Sequence, residues 1–191
     1  MDRFSAVDAF WFRIEAALAR GGCFVVHVSG SPTTPSWAYT IGFLEHFGKP
    51  ELVTTGLSPE SSSAFLQWAF DAAKEGEPLL VGREHRRVCW HELPISVVEV
   101  PPDRYLPPSD LGNMLFAYYA ARGGRFPAEP RMHQLVWPDF DGRLPWDAGF
   151  DEHWRPYQPL LDEVPWAPDH SHDEPCWGCD LAEDEHPQGF Q

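Results

Sequence analysis

The chain has 191 residues, enough for one domain with a full core and short for two. Nine Trp and thirteen Phe put large flat side chains into a core or a pocket, while 29 Asp and Glu against 14 Lys and Arg give a formal net charge of −15. A negative chain without a basic stripe argues against nucleic acid, whose phosphates are held by Lys and Arg, and disfavours anionic membrane surfaces.

Phe4, Val7, Trp11, Ile14 and Leu18 recur at spacings of three and four, with Ser5 and Asp8 placed as a capping box and Gly21-Gly22 as a stop. The spacing predicts an amphipathic helix over 4–20. This opening lacks the apolar centre of a signal peptide, and no run of about 18 apolar residues follows, so the expectation is a soluble, cytoplasmic protein. Cys23 to Val28 reads as a mostly apolar strand, where His27 is either a hydrogen-bonded structural residue or a ligand. The four Cys do not form a secreted disulfide pattern.

In Trp37-Ala38-Tyr39-Thr40-Ile41-Gly42-Phe43 large apolar residues alternate with small ones, the period of a strand with one bulky face and one nearly bare face. A bare face of Ala38, Thr40 and Gly42 invites a ligand or a backbone. Gly48-Lys49-Pro50 breaks the chain before a second extended run over 51–57. Ser58-Pro59-Glu60 then has the chemistry of a helix start: a capping hydroxyl, a proline suited to the first turn and an acid for the dipole. The helix predicted over 59–75 lines up Ser61, Phe65, Trp68 and Ala72, with Ala64, Leu66 and Ala69 beside them.

Leu79-Leu80-Val81 suggests a short strand. Arg83, Arg86 and Arg87 in the polar loop after it could grip a phosphate or carboxylate, or be solvated charge. A strand pattern over 88–100 is interrupted by Pro94, which marks an edge or a bulge. Within it Cys89 and His91 share a face and, with His85, form either a metal or thiolate site or a buried structural pair. A helix predicted over 109–122 carries Leu111, Met114, Leu115, Tyr118 and Ala121 on one face. The last strand, 132–137, puts His133 and Gln134 on opposite faces. Asp139-Phe140-Asp141-Gly142-Arg143 has turn chemistry and too few ligands for a calcium loop. The order of elements is not a βαβ alternation. It predicts one α+β domain over 1–161 with a mainly antiparallel sheet, open or barrel-like, about three helices, and an irregular acidic tail over 162–191.

AYTIGF, then PELVTTGL, and much later QLVWPDFDGRLPWDAGF resemble the signature segments of domain-of-unknown-function family 4262, found widely in bacteria. The resemblance covers roughly 20–161 and implies a fold and a set of motif positions, but no reaction. It singles out Tyr39, Thr40, Gly42, Pro50, Glu51, Gln134, Trp137, Pro138, Asp139, Gly142, Pro145 and Trp146. Gly42, Pro50 and Gly142 have backbone work to do. Thr40, Glu51, Gln134 and Asp139 have less evident structural reasons and are the functional candidates among them.

Nucleotide loops, zinc-protease helices and serine-hydrolase elbows are missing from the sequence. The expected site is a cleft between the bare strand face and the second motif block. Trp37, Thr40, Gly42, Gln134, Trp137 and Trp146 would contact a small molecule or peptide, with a carboxylate at the rim. Should the protein be an enzyme, Glu51, His133 or Asp139 would move the proton, with a flavin or a metal as helper. In the tail, His170, His172, Cys176 and Cys179 could complete a tetrahedral zinc site. Their spacing departs from that of zinc fingers, and a solvated acidic tail that docks on a basic partner is the alternative.

Overall fold

The computed structural model of the chain describes residues 6–86, 92–106, 111–122 and 130–163. In chain order the elements are α1 (Ala6–Ala19), β1 (Phe24–Val28), β2 (Trp37–Ile41), α2 (Phe43–Phe47), β3 (Glu51–Thr55), α3 (Pro59–Lys74), β4 (Glu84–His85), β5 (Ile95–Glu99), α4 (Pro102–Tyr105), α5 (Asn113–Ala121) and β6 (Met132–Val136), followed by a 3-10 turn at Glu152–Trp154. The six strands form one mixed sheet in the order β1-β2-β3-β6-β5-β4. Its ladders are antiparallel except where β6 lies parallel to β3, with Leu52 opposite His133 and Val53 opposite Gln134.

Alternation along the strands splits the apolar side chains between two cores. On one face Ala38, Leu52, Val97, Leu135 and Trp137 pack under Phe65, Leu66, Ala69, Phe70 and Ala73 of α3. On the other, Tyr39, Ile41, Val53 and Met132 pack against Ile14 and Leu18 of α1 and Leu115, Tyr118 and Tyr119 of α5. The domain is therefore helix, sheet, helix in layers. Helices on both faces leave no interior for a barrel to enclose, and the sheet is open, ending at β1 and β4. The barrel-like expectation is corrected on that ground.

α3 starts where the Ser58-Pro59-Glu60 chemistry placed it: the Ser61 N–H donates to Ser58 Oγ (3.1 Å), and Pro59 occupies the first turn. Its buried face holds Phe65, Leu66, Ala69 and Ala72 as expected, with Ser62, Phe70 and Ala73 added, whereas Trp68 lies at the surface. Two short helices, α2 and α4, were not anticipated, because one turn is too brief for apolar periodicity to register. Leu79-Leu80-Val81 supplies a single bridge, Val81 to Val97, in place of a strand. The strand after Pro94 begins at Ile95. Arg87, Cys89 and His91, together with the tail ligand set His170, His172, Cys176 and Cys179, lie outside the described residues.

The link from β3 to α3 depends on a close approach. Gly56 has φ +72°, and a Cβ there would run into the carbonyl oxygen of Tyr157. Gly142 has a similar φ of +76° but nothing nearer than Pro94 Cδ at 3.8 Å. Gly56→Ala should accordingly cost about 2 kcal/mol or more of unfolding free energy, and Gly142→Ala only about 1 kcal/mol, as read from urea midpoints. Equal losses would show that backbone conformation alone, and not contact with Tyr157, governs the first position.

Candidate functional site

Glu51, the first residue of β3, is 0% exposed, and its carboxylate collects five donors. Oε1 accepts the N–H groups of Gly42 (2.9 Å) and Leu44 (3.0 Å) and the Tyr119 hydroxyl (2.7 Å). Oε2 accepts the Thr40 hydroxyl (2.6 Å) and the Phe43 N–H (3.1 Å). The Thr40 oxygen in turn accepts the Leu52 N–H (2.9 Å). Burial holds the Glu51 carboxyl above its ordinary range, and the bonds from Thr40, Tyr119, Gly42 and Leu44 offset only part of that rise. Burial and the adjoining Glu51 charge drive the Tyr119 phenol upward, so it stays a donor.

The local backbone makes this possible. Gly42 ends β2 with φ +144°, a conformation open to glycine, and turns the first N–H groups of α2 toward the carboxylate. A Cβ at Gly42 would lie 2.9 Å from Leu18 Cδ2 and 3.1 Å from Cys23 Cα, so α1 and β1 also close over this corner.

The second motif block is organised in the same manner. The Gln134 amide donates to Pro159 O (2.8 Å) and accepts the Leu161 N–H (2.8 Å). Gln158 accepts the Trp137 N–H (2.7 Å) and donates to Trp137 O (2.8 Å), extending β6 with a side chain as if it were a strand. Asp139 Oδ1 accepts the N–H groups of Asp141 (3.0 Å) and Arg143 (2.8 Å), and Oδ2 that of Asp151 (3.0 Å). Burial works to raise the Asp139 pKa, but the three N–H groups and the Arg143 charge outweigh it and hold the carboxyl below its usual value.

These placements separate the residues expected to share a cleft. Trp37 lies on the α1 and α5 side, its indole donating to Leu111 O (3.2 Å). Trp137 lies on the α3 side, donating to Thr55 O (2.9 Å). Ala38 and Thr40 are not bare, because α3 covers the first and Glu51 takes the second. Gly42 and Gln134 are likewise occupied, by Glu51 and by the 159–161 segment. His133 is half-buried next to Glu99; burial lowers its pKa, with Glu99 opposing and Arg131 adding to the fall. What the structure assembles in the open is the aromatic part of the second block. Phe140 is 69% and Trp146 48% exposed, on a loop pinned by Asp139, by Arg143 to Asp141 (2.8 Å) and Gly149 O (2.8 Å), and by Asp147 accepting the Leu144 N–H (2.8 Å). The Phe140 ring stands edge-on to Trp154 at 5.4 Å, and Trp154 to Trp137 at 6.0 Å. Tyr119, Gln158 and Phe140 escaped the sequence reading. The first two act over long chain separations that leave no local signal, whereas a Phe inside an Asp-Gly turn is an apolar side chain with little chance of burial and could have been noticed.

A layered α+β domain with an open mixed sheet and a rigid aromatic loop is the class that this geometry defines. The chain belongs to the family described as Domain of unknown function (DUF4262), whose model matches residues 17–151. Comparisons with curated proteins and with solved structures give no match. No helix among the described residues is long and apolar enough to cross a membrane, and no group of three or more His, Cys, Asp or Glu among them could hold a metal ion.

Two substitutions probe the two carboxylates. Glu51→Gln turns part of an acceptor-only group into a donor facing donors, so stability should fall by about 3 kcal/mol or more in urea unfolding. For Asp139 the folded pKa is depressed, so its stabilisation is present above the unfolded value near 3.8 and is lost as pH falls through the lower folded value. Asp139→Asn should therefore be less stable at neutral pH and show a shallower loss of stability on acidification below about pH 4. An unchanged acid limb in the variant would assign that limb to other carboxylates.

Proposed function

We propose that this domain binds peptide segments, and that the loop over 139–155 is its recognition surface. The observation that carries the reading is the division of labour within the second motif block. Its polar side chains are consumed by internal hydrogen bonds, while Phe140 and Trp146 are held outward on a pinned loop. Exposed aromatics on a rigid support offer large contact area with little entropy left to lose, which is what binding hot spots require. Between them, Gly142 sits against the buried Pro94, whose Cδ lies 3.8 Å from where a Cβ would stand.

Charge selects among peptides. Over 139–155 four acidic residues outside the core, Asp141, Asp147, Asp151 and Glu152, stand against two arginines, Arg143 and Arg155, both already paired with acids at 2.8 and 2.6 Å. The surface thus favours a partner with apolar anchors flanked by Lys or Arg. Proton-transfer chemistry at Glu51 or Asp139 has less support, since each carboxylate is enclosed by donors.

A displayed peptide library selected on the purified protein should enrich basic sequences carrying aromatic or aliphatic anchors. Phe140→Ala and Trp146→Ala should each weaken a selected peptide roughly tenfold or more, with secondary structure retained. Binding should also weaken as salt rises. Peptides that bind both variants as tightly as the parent chain would place recognition elsewhere.

A further inference from the structure

His27 on the outer strand β1 and two serines of α3 form a second cluster. His27 Nε2 lies 2.9 Å from Ser63 Oγ, and Nδ1 lies 3.3 Å from Ser62 Oγ. The Ser62 hydroxyl, 2% exposed as a residue, has one proton, and it is directed to Ser58 O at 2.7 Å. Ser62 can then only accept from His27, which fixes the proton on Nδ1 and leaves the Nε2 lone pair to accept the Ser63 hydroxyl. A hydroxyl donating to an imidazole whose other nitrogen is held as a donor is the arrangement that activates a serine.

We propose that Ser63 is a nucleophile, with His27 as its general base, in a site that hydrolyses carboxylic esters. Ser63 Oγ would attack the ester carbonyl carbon while its proton passes to Nε2. As the carbon–oxygen bond to the leaving group breaks, that proton passes on to the departing alkoxide, giving a free alcohol and an acylated Ser63. Water, deprotonated by the same nitrogen, then releases the carboxylic acid and restores the hydroxyl. Ser62 is a positioning residue in this scheme, since it acts through His27.

Three features agree with the assignment. His27 is exposed and Ser63 half-buried, so a substrate can reach both. β1 is the outer strand, paired only with β2 among the described residues, and that side is open. Burial lowers the His27 pKa, which favours the neutral base, while the Glu60 carboxylate opposes the shift and would favour the imidazolium formed during attack.

The test is to treat the purified full chain with a fluorophosphonate probe at neutral pH, map the adduct by peptide mass, and follow hydrolysis of p-nitrophenyl acetate in parallel. The expected result is one adduct, on Ser63, together with a loss of hydrolysis of about a hundredfold in both Ser63→Ala and His27→Ala. Activity should rise with pH through a midpoint below 6.5, and Glu60→Gln should move that midpoint lower still. Ser63→Ala removes one half-buried hydroxyl and should leave the circular dichroism spectrum unchanged, so its loss of activity would not reflect unfolding. If the parent chain takes no probe, or if Ser63→Ala is labelled and hydrolyses like the parent, the pair only tethers α3 to β1 and the proposal fails.

Discussion

A buried carboxyl group needs dipoles in place of its lost hydration, and five donors supply them to Glu51 without a bonded cation among the described residues, offsetting part of the cost of burial. Three of its donors are the first N–H groups around α2, which would otherwise lack partners at a helix start. A negative charge there also suits the helix dipole. The other two donors come from β2 and α5. Removing the acid would therefore unfasten a strand end, a helix start and a second helix together. A coupled set of this kind is worth more than any one of its bonds, each of which contributes about 1.5–3 kcal/mol when one partner is charged.

The same solution recurs on β6. Gln134 and Gln158 use both ends of their amides on backbone, tying the 158–161 segment to the strand, and Asp139 gathers three N–H groups of its own loop. Irregular backbone without ladder partners is thereby satisfied by side chains. That satisfaction is what lets a segment rich in Pro, Gly and Asp hold a Phe and a Trp in water. Rigidity and exposure, usually opposed in loops, coexist here.

Because α3 covers one sheet face and α1 with α5 the other, the middle strands are covered on both faces. The aromatic loop follows the inner strand β6, and the His27 and Ser63 pair joins the outer strand β1 to α3. The cleft expected between the two motif blocks would have required the strand face at Ala38 to remain uncovered.

Local chemistry in the sequence determined α3 through its Ser58 cap and Pro59, the alternation of Trp37 to Ile41, the opposite faces of His133 and Gln134, and the turn at Asp139 to Arg143. These were legible because caps, turns and period-two patterns act within a few residues. Glu51, Gln134 and Asp139 stood out as polar residues without an evident structural reason, but the reason itself was hidden. Tyr119 lies 68 residues from Glu51, and the partners of Gln134 lie 25 and 27 residues away. Only the tertiary structure decided that α3 would cover Ala38, that β6 would run parallel to β3, and that Trp37 and Trp137 would part to opposite faces. Each of those outcomes depends on which distant apolar surfaces meet, and hydrophobic burial, being non-directional, leaves no local mark that names its partner.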